Sequence, residues 1–161
     1  MQRRTAVSVI SASFLLAAMA LSAGDAAADE ADRLISSWTS PNSPSYGGNP
    51  NGMLIFSKDG RYSLTILRAN LPKIASNNRV KATPKEEHAI VEGSISHFGR
   101  YRIDHKKNIL TLQIEGSTFP NWIGTTQERQ YKITNSALTY KVAVVSGTGL
   151  PGETSWRRAG K

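Results

Sequence analysis

Over much of its length the chain alternates apolar and polar residues with a period of two, the pattern of strands that bury one face. This predicts strands at Leu34–Thr39, Met53–Ser57, Arg61–Arg68, Gly99–Asp104, Ile109–Glu115, Thr126–Ile133, Ala137–Val145 and Thr154–Arg158. Alternation also assigns the inward faces: Tyr62, Leu64 and Ile66; Leu110, Leu112 and Ile114; Tyr131 and Ile133; Leu138, Tyr140, Val142 and Val144. Turn chemistry separates the runs at Lys58-Asp59-Gly60, at His105 to Asn108 and at Thr134-Asn135-Ser136. A meander of about eight strands is the size at which a closed barrel just holds its own side chains or one small ligand. The fold class is therefore all-β, an antiparallel barrel. The stretch SPNSPSYGGNPNG, residues 40–52, is too polar and too rich in Pro and Gly to pack as a strand. It reads as a loop over the barrel mouth or as a long connection.

One segment departs from the period of two. In TPKEEHAIVEGSISHFG, residues 83–99, Thr83 is placed as N-cap, Pro84 at the first helical position and Glu86 as capping-box partner. Val91, Ile95 and Phe98 recur at helical spacing, which predicts one α-helix over about 83–98 whose apolar stripe lies on the barrel. Gly99 then serves as its C-terminal cap.

The first residues change the picture of where the protein works. Arg3 and Arg4 precede an apolar run at 5–21, and Ala26-Ala27-Ala28 offers a small-residue cleavage site. This is the build of a cleaved signal peptide over 1–28, followed by a barrel domain at 29–161. The run is shorter than the ~20 residues of a membrane span and contains Ser. The mature protein is thus expected to be periplasmic or secreted, without stable membrane insertion. The arginine pair leaves general and twin-arginine export both open, with the general route favoured. Cleavage after Ala28 lowers the formal charge from +8 to +7. The basic residues are scattered along the chain, so the charge reads as a solvated surface and not as a nucleic-acid site. There is no cysteine, hence no disulfide and no lipid-modified cysteine anchor.

Several irregular stretches carry a resemblance. GRYSLTILR (60–68), ATPKEEHAIVEG (82–93), HFGRYRID (97–104), EGSTFPNWIGTTQERQYKI (115–133) and SWRRA (155–159) together resemble the lipocalin-like domain of small bacterial and fungal proteins. The resemblance covers essentially the whole mature chain. It implies a calycin-type barrel whose business is holding small apolar molecules. Lipocalins proper open on a G-x-W motif whose Trp is covered by an Arg from the last strand. Here Ser36-Ser37-Trp38 lacks the Gly, and Arg157 or Arg158 is placed to supply the cover.

Candidate chemistry clusters around the segment 115–131. Pro120 and Gly124 bracket a corner anchored by Phe119, Trp122 and Ile123. Trp122 either plugs one barrel end as a packing unit or walls a ligand site. Alternation carries Gln127 and Arg129 onto the face of Tyr131 and Ile133, and Arg68 onto the face of Tyr62, Leu64 and Ile66. An inward guanidinium needs a partner, because an unpaired buried charge costs several kcal/mol. Glu115, Glu92 or a tyrosine hydroxyl would satisfy it internally. Otherwise an acidic ligand completes the site, held bidentately by Arg129 or Arg68 with its tail in the barrel. The candidate ligand-binding residues are thus Arg68, Tyr101, Trp122, Gln127, Arg129, Tyr131 and Tyr140, and the expected partner is a small apolar or amphipathic molecule.

Catalytic signals are sparse. His88 and His97 lie nine residues apart, half a turn out of phase on one helix, and His105 sits in a polar turn. No nucleophile elbow, metalloprotease motif or metal-spaced cluster occurs, so no cofactor and no metal is expected. An isomerase- or cyclase-type enzyme using His97, Tyr101 or Glu115 for proton transfer is the second reading, against an exported binding protein. The third is a secreted interaction module with a solid core. Nothing in the sequence sets an oligomeric state.

Overall fold

The computed structural model describes residues 30–160. The expected signal peptide lies outside the described residues. Eight antiparallel strands pair in sequence order and close into a barrel. They are β1 (Ser37–Asn42), β2 (Asn51–Phe56), β3 (Arg61–Leu67), β4 (Ser94–Asp104), β5 (Ile109–Ser117), β6 (Thr126–Ile133), β7 (Ala137–Val142) and β8 (Gly152–Arg158). β8 returns to β1, with Trp38 opposite Arg158 and Thr39 opposite Arg157. The expected inward faces are the ones that fill the interior: Leu64, Leu110, Leu112, Ile114, Leu138 and Tyr140 are each at most 2% exposed. Val144 is the exception, exposed beyond the end of β7.

The short turns follow local hydrogen-bonding chemistry. Gly60, at φ 81°, supplies the left-handed position that closes the β2–β3 hairpin. The Asp104 carboxylate accepts from the backbone N–H groups of Lys106 and Lys107 at 3.0 and 3.1 Å, which turns β4 into β5. Thr134 does the same for β6–β7, accepting from Ala137 N–H at 3.0 Å. These three turns share one end of the barrel, its base. Residues 30–34 are helical at that end, and Leu34 is buried. The Leu34 carbonyl accepts the Trp38 indole N–H at 3.1 Å, and the Arg158 guanidinium lies 4.4 Å above the Trp38 ring. Of the two arginines in SWRRA, Arg158 is therefore the cover; it also donates to the carbonyls of Arg33 and Asn135.

The helix is real but shorter than its pattern suggested. It spans Pro84–Glu92, with the full capping box between Thr83 and Glu86 and with Gly93 as its C-cap. Gly99 is not the cap. Residues 94–98 belong to β4, which pairs with β3 from Ser94↔Leu67 and with β5 from His97↔Ser117. Two ladders of backbone hydrogen bonds outweigh helical continuation past Gly93, where a glycine already weakens a helix. The supposed stripe is consequently dispersed. Val91 is exposed on the helix, Ile95 is buried inside the barrel and Phe98 is half-exposed on its outer wall.

Phe98 and Gly99 mark an irregularity in the β4–β5 ladder, where the register shifts. Phe98 lies opposite Gly116 and covers it: a methyl group on Gly116 would meet the ring at 2.5 Å. A methyl group on Gly99 would instead meet the Gln113 carbonyl oxygen at 2.0 Å and the Glu115 backbone nitrogen at 2.9 Å. The first obstacle is a side chain free to swing outward; the second is a strand backbone. Urea melts should therefore rank three variants. Gly99→Ala is expected to lose about 3 kcal/mol or more by overpacking, Thr83→Ala about 1 kcal/mol through loss of its cap, and Phe98→Ala no more than about 1 kcal/mol of partial apolar burial. A Phe98→Ala loss as large as that of Gly99→Ala would place the ring in the core.

Candidate functional site

The four remaining connections lie at the end opposite the base, the mouth. The loop after β1 forms one 3-10 turn, Pro44–Tyr46, and brings Tyr46 inward to 8% exposure. Ser43 from the same loop is buried and accepts a hydrogen bond from Thr154 of β8 at 3.3 Å. Of the two expectations for this loop, covering the mouth is the one observed. A second 3-10 turn, Pro120–Trp122, follows β5. It sets Trp122 edge-on to His97, ring centres 5.7 Å apart, with Phe119 packed behind it at 5.5 Å.

Below this cover the interior is polar. Arg129 reaches in from the middle of β6 and is 3% exposed. Its guanidinium stacks 4.7 Å from the centre of the Tyr140 ring and donates to the Gln127 side-chain oxygen at 2.9 Å. Its Nε–H is buried without a hydrogen-bond partner. Among the described residues no carboxylate lies within ion-pair distance of it. An arginine so placed carries its desolvation cost against neutral partners, the Gln127 amide and the Tyr140 phenol, with no countercharge among the described residues.

His97, on β4 and 2% exposed, completes the group. Its Nδ1 shares a hydrogen bond with the Tyr62 hydroxyl at 2.9 Å. Burial and, secondly, the positive charge of Arg129 pull the imidazole down to about 3, so it is neutral at ordinary pH. The same burial pushes the Tyr62, Tyr46 and Tyr140 phenols up. Among the described residues the interior thus presents one cation, Arg129, with neutral hydroxyl groups and the neutral His97 imidazole around it.

A cavity of about 40 Å³ lies among these groups, with His97, Trp122, Arg129 and Tyr140 in its wall. Tyr46, Ile95 and Ser146 line both this cavity and a neighbouring mouth pocket of about 460 Å³. The inner volume is close to that of one water molecule, whereas the mouth pocket has the size of a small-molecule site. A larger groove of about 630 Å³ runs outside β6 and β7, but it is lined by outward-facing Lys132, Lys141 and Glu153 and opens to solvent.

The residues singled out in the sequence separate accordingly. Trp122, Gln127, Arg129 and Tyr140 come together around the inner cavity, joined by His97. Arg68 sits at the mouth pocket and not inside the barrel. Tyr131 is buried nearer the base, where its hydroxyl donates to Glu30 at 2.8 Å. Tyr101 packs on Phe56 and donates to the Ser57 carbonyl at 2.9 Å, beside the β2–β3 turn. Glu115 faces outward and pairs with Arg61 at 3.0 Å and Arg100 at 3.3 Å. His97, Tyr101 and Glu115 therefore stand in three separate places. Glu115 does not neutralise Arg129, and neither does Glu92, which pairs with His88 on the exposed helix. Tyr62, Tyr46, Ser43 and Thr154 were not singled out in the sequence. Tyr62 was legible only as an inward apolar position, and Tyr46 as an aromatic in a loop otherwise too polar to pack.

His97 makes stability depend on pH in a specific way. Its folded value of about 3 lies below the ordinary 6.5, so between these values the unfolded chain binds a proton that the native one refuses. Stability is then complete above about pH 6.5 and falls as the pH drops towards 3, with a slope approaching ~1.4 kcal/mol per pH unit. Urea midpoints of the wild type should fall more steeply across this window than those of His97→Gln, which removes the titration. Parallel losses would mean that His97 is protonated in the folded barrel.

Comparison with known proteins adds the family. The model of the lipocalin-like domain matches residues 34–159. A protein of Aspergillus oryzae named 4'-hydroxy-3'-methoxypropiophenone carrier protein is 26% identical over 105 residues, covering 60% of this chain and 95% of that protein. No solved structure shows a significant match. With a closed eight-stranded barrel, an Arg158-covered Trp38 at its base and a family match over nearly all the described residues, the chain belongs to the lipocalin-like domain family.

Proposed function

We propose that this protein is an exported carrier of a small amphipathic molecule. The ligand's electron-rich oxygen pairs with Arg129, and its apolar body occupies the mouth pocket. The observation that carries this reading is the buried, unpaired Nε–H of Arg129, in the wall of the inner cavity next to that pocket. A carboxylate is the natural complement, since it accepts two guanidinium hydrogen bonds at once. The phenol and ketone in the name of the Aspergillus relative's cargo offer neutral acceptor oxygens, weaker partners for a guanidinium than a carboxylate, on an aromatic body. Trp122, Phe119 and Tyr46 give such a body aromatic walls.

The test uses Arg129→Met, which keeps the apolar stem and removes the fork, so folding should be spared. A fluorescent long-chain carboxylate should lose ~1.5–3 kcal/mol of affinity, the size of a charged hydrogen bond. The corresponding alcohol should lose little. Equal carboxylate affinities for wild type and variant, or no binding by wild type of that probe or of the relative's propiophenone, would overturn the reading. Export is supported by Arg3, Arg4, the apolar run at 5–21 and Ala26–Ala28. N-terminal sequencing of protein recovered from the expressing cells should then begin near Asp29; an intact Met1 would count against export.

A further inference from the structure

In a closed meander alternate connections share an end, so the composition of the two ends can be compared directly. The base carries the β2–β3, β4–β5 and β6–β7 turns, Ser57–Gly60, His105–Asn108 and Thr134–Ser136, none of which exposes a large apolar side chain. The mouth carries the other four connections, and the mouth pocket touches all of them, at Ser45, Val91, Phe119 and Ser146. Val80, Val91, Ile123, Val144 and Leu150 all lie in these connections. They are five of the eight large hydrophobic residues exposed among the described ones. The other three, Met53, Ile55 and Phe98, belong to strands of the wall.

Charge is distributed just as unevenly within the mouth. The connections at 43–50, 118–125 and 143–151 contain no charged residue. The fourth, at 68–93, contains Arg68, Lys73, Arg79, Lys81 and Lys85 against three glutamates. Of these glutamates, Glu86 is occupied by the backbone N–H groups of Ala75 and Thr83, and Glu92 pairs with His88. Val80 stands 80% exposed between Arg79 and Lys81, while Val144 and Leu150 are 58% and 65% exposed on the uncharged β7–β8 loop.

Exposed apolar residues carried by the connections of one end are what a contact surface would present. The basic fringe decides what it contacts. A second copy meeting this end would offer Lys73, Arg79, Lys81 and Lys85 only uncharged loops or this same basic connection, with no acidic patch to complement them. A bilayer with anionic headgroups complements both features. The uncharged loops enter the headgroup and acyl boundary without stripping water from an ion, and the basic residues meet the lipid phosphates. We propose that the mouth end is a docking face for an anionic lipid bilayer, with Val80, Val144 and Leu150 inserting and Arg79 and Lys81 against the headgroups. The pocket would then open onto the membrane surface. The docking itself does not depend on what the pocket carries.

Co-sedimentation with vesicles of phosphatidylcholine, with and without phosphatidylglycerol, tests this on the mature chain. Wild type should bind the anionic vesicles and be released as salt is raised. Val144→Asp/Leu150→Asp and Arg79→Glu/Lys81→Glu should each weaken this binding about tenfold or more. Lys106→Glu/Lys107→Glu, the same charge reversal placed at the base, should bind as wild type does. Equal weakening by the base reversal would reduce the effect to net charge and overturn the proposal, as would wild type failing to bind. Sedimentation velocity without lipid showing a dimer that Val144→Asp/Leu150→Asp dissolves would assign the face to a second copy instead. Fluorescent-carboxylate titration of the same variants without vesicles should match wild type, which keeps docking and cargo binding apart; a shared loss would assign these residues to the ligand site.

Discussion

β8 returns to pair with β1 at Trp38–Arg158 and Thr39–Arg157, so the sheet keeps no free edge and its inward faces have nowhere to point but at each other. Closure at eight strands fixes how much room those faces share. The base spends this room on apolar packing. Trp38, Leu34 and Trp156 are each at most 1% exposed there and above, and Arg158 seals the Trp38 ring from outside. With the base solid, any space left for a ligand has to lie towards the other end.

Polar residues collect in the interior between that solid base and the mouth loops. Arg129, His97, Tyr62 and Tyr140 are all buried, each held by its own strand, and on β6 Gln127 shares the inward face with Arg129. Their mutual contacts are economical: Tyr140 accepts the Trp156 N–H at 3.1 Å, Tyr62 and His97 share a hydrogen bond, and Gln127 accepts from Arg129. Neutral partners satisfy neutral groups, and the cation alone lacks a countercharge. Burial first, and repulsion from Arg129 second, hold His97 uncharged. A buried group that is only partly satisfied is costly in a low-dielectric interior, which is why the guanidinium is the natural point for cargo to engage.

The mouth connections give the barrel its direction. Loops carrying Tyr46, Trp122 and Ser146 reach over the interior, while the base turns stay short and polar. Cover, pocket and exposed apolar residues thus share one end. The helix Pro84–Glu92 takes part from the side, lending Ile90 and Val91 to the pocket wall without burying any residue fully.

Much of this was written into the residue pattern. Period-two alternation is a local consequence of strand geometry, so it identified the strands, the inward faces and the inward course of Arg129 and Gln127 without reference to partners. Capping is equally local, and Thr83, Pro84 and Glu86 marked the start of the helix correctly. Its end was not legible. Ile95 and Phe98 fit a helical period and a strand period alike, and only the ladders from β3 and β5 decide for the strand. The same limit governs the site. Sequence placed a charge inside the barrel, but whether a carboxylate stood beside it depended on which strands met across the interior. The fold answered by turning Glu115 outward to Arg61 and Arg100 and by setting Tyr140, His97 and Trp122 near Arg129. Periodicity along one strand reports which way a side chain points; what it meets there is a property of the closed sheet.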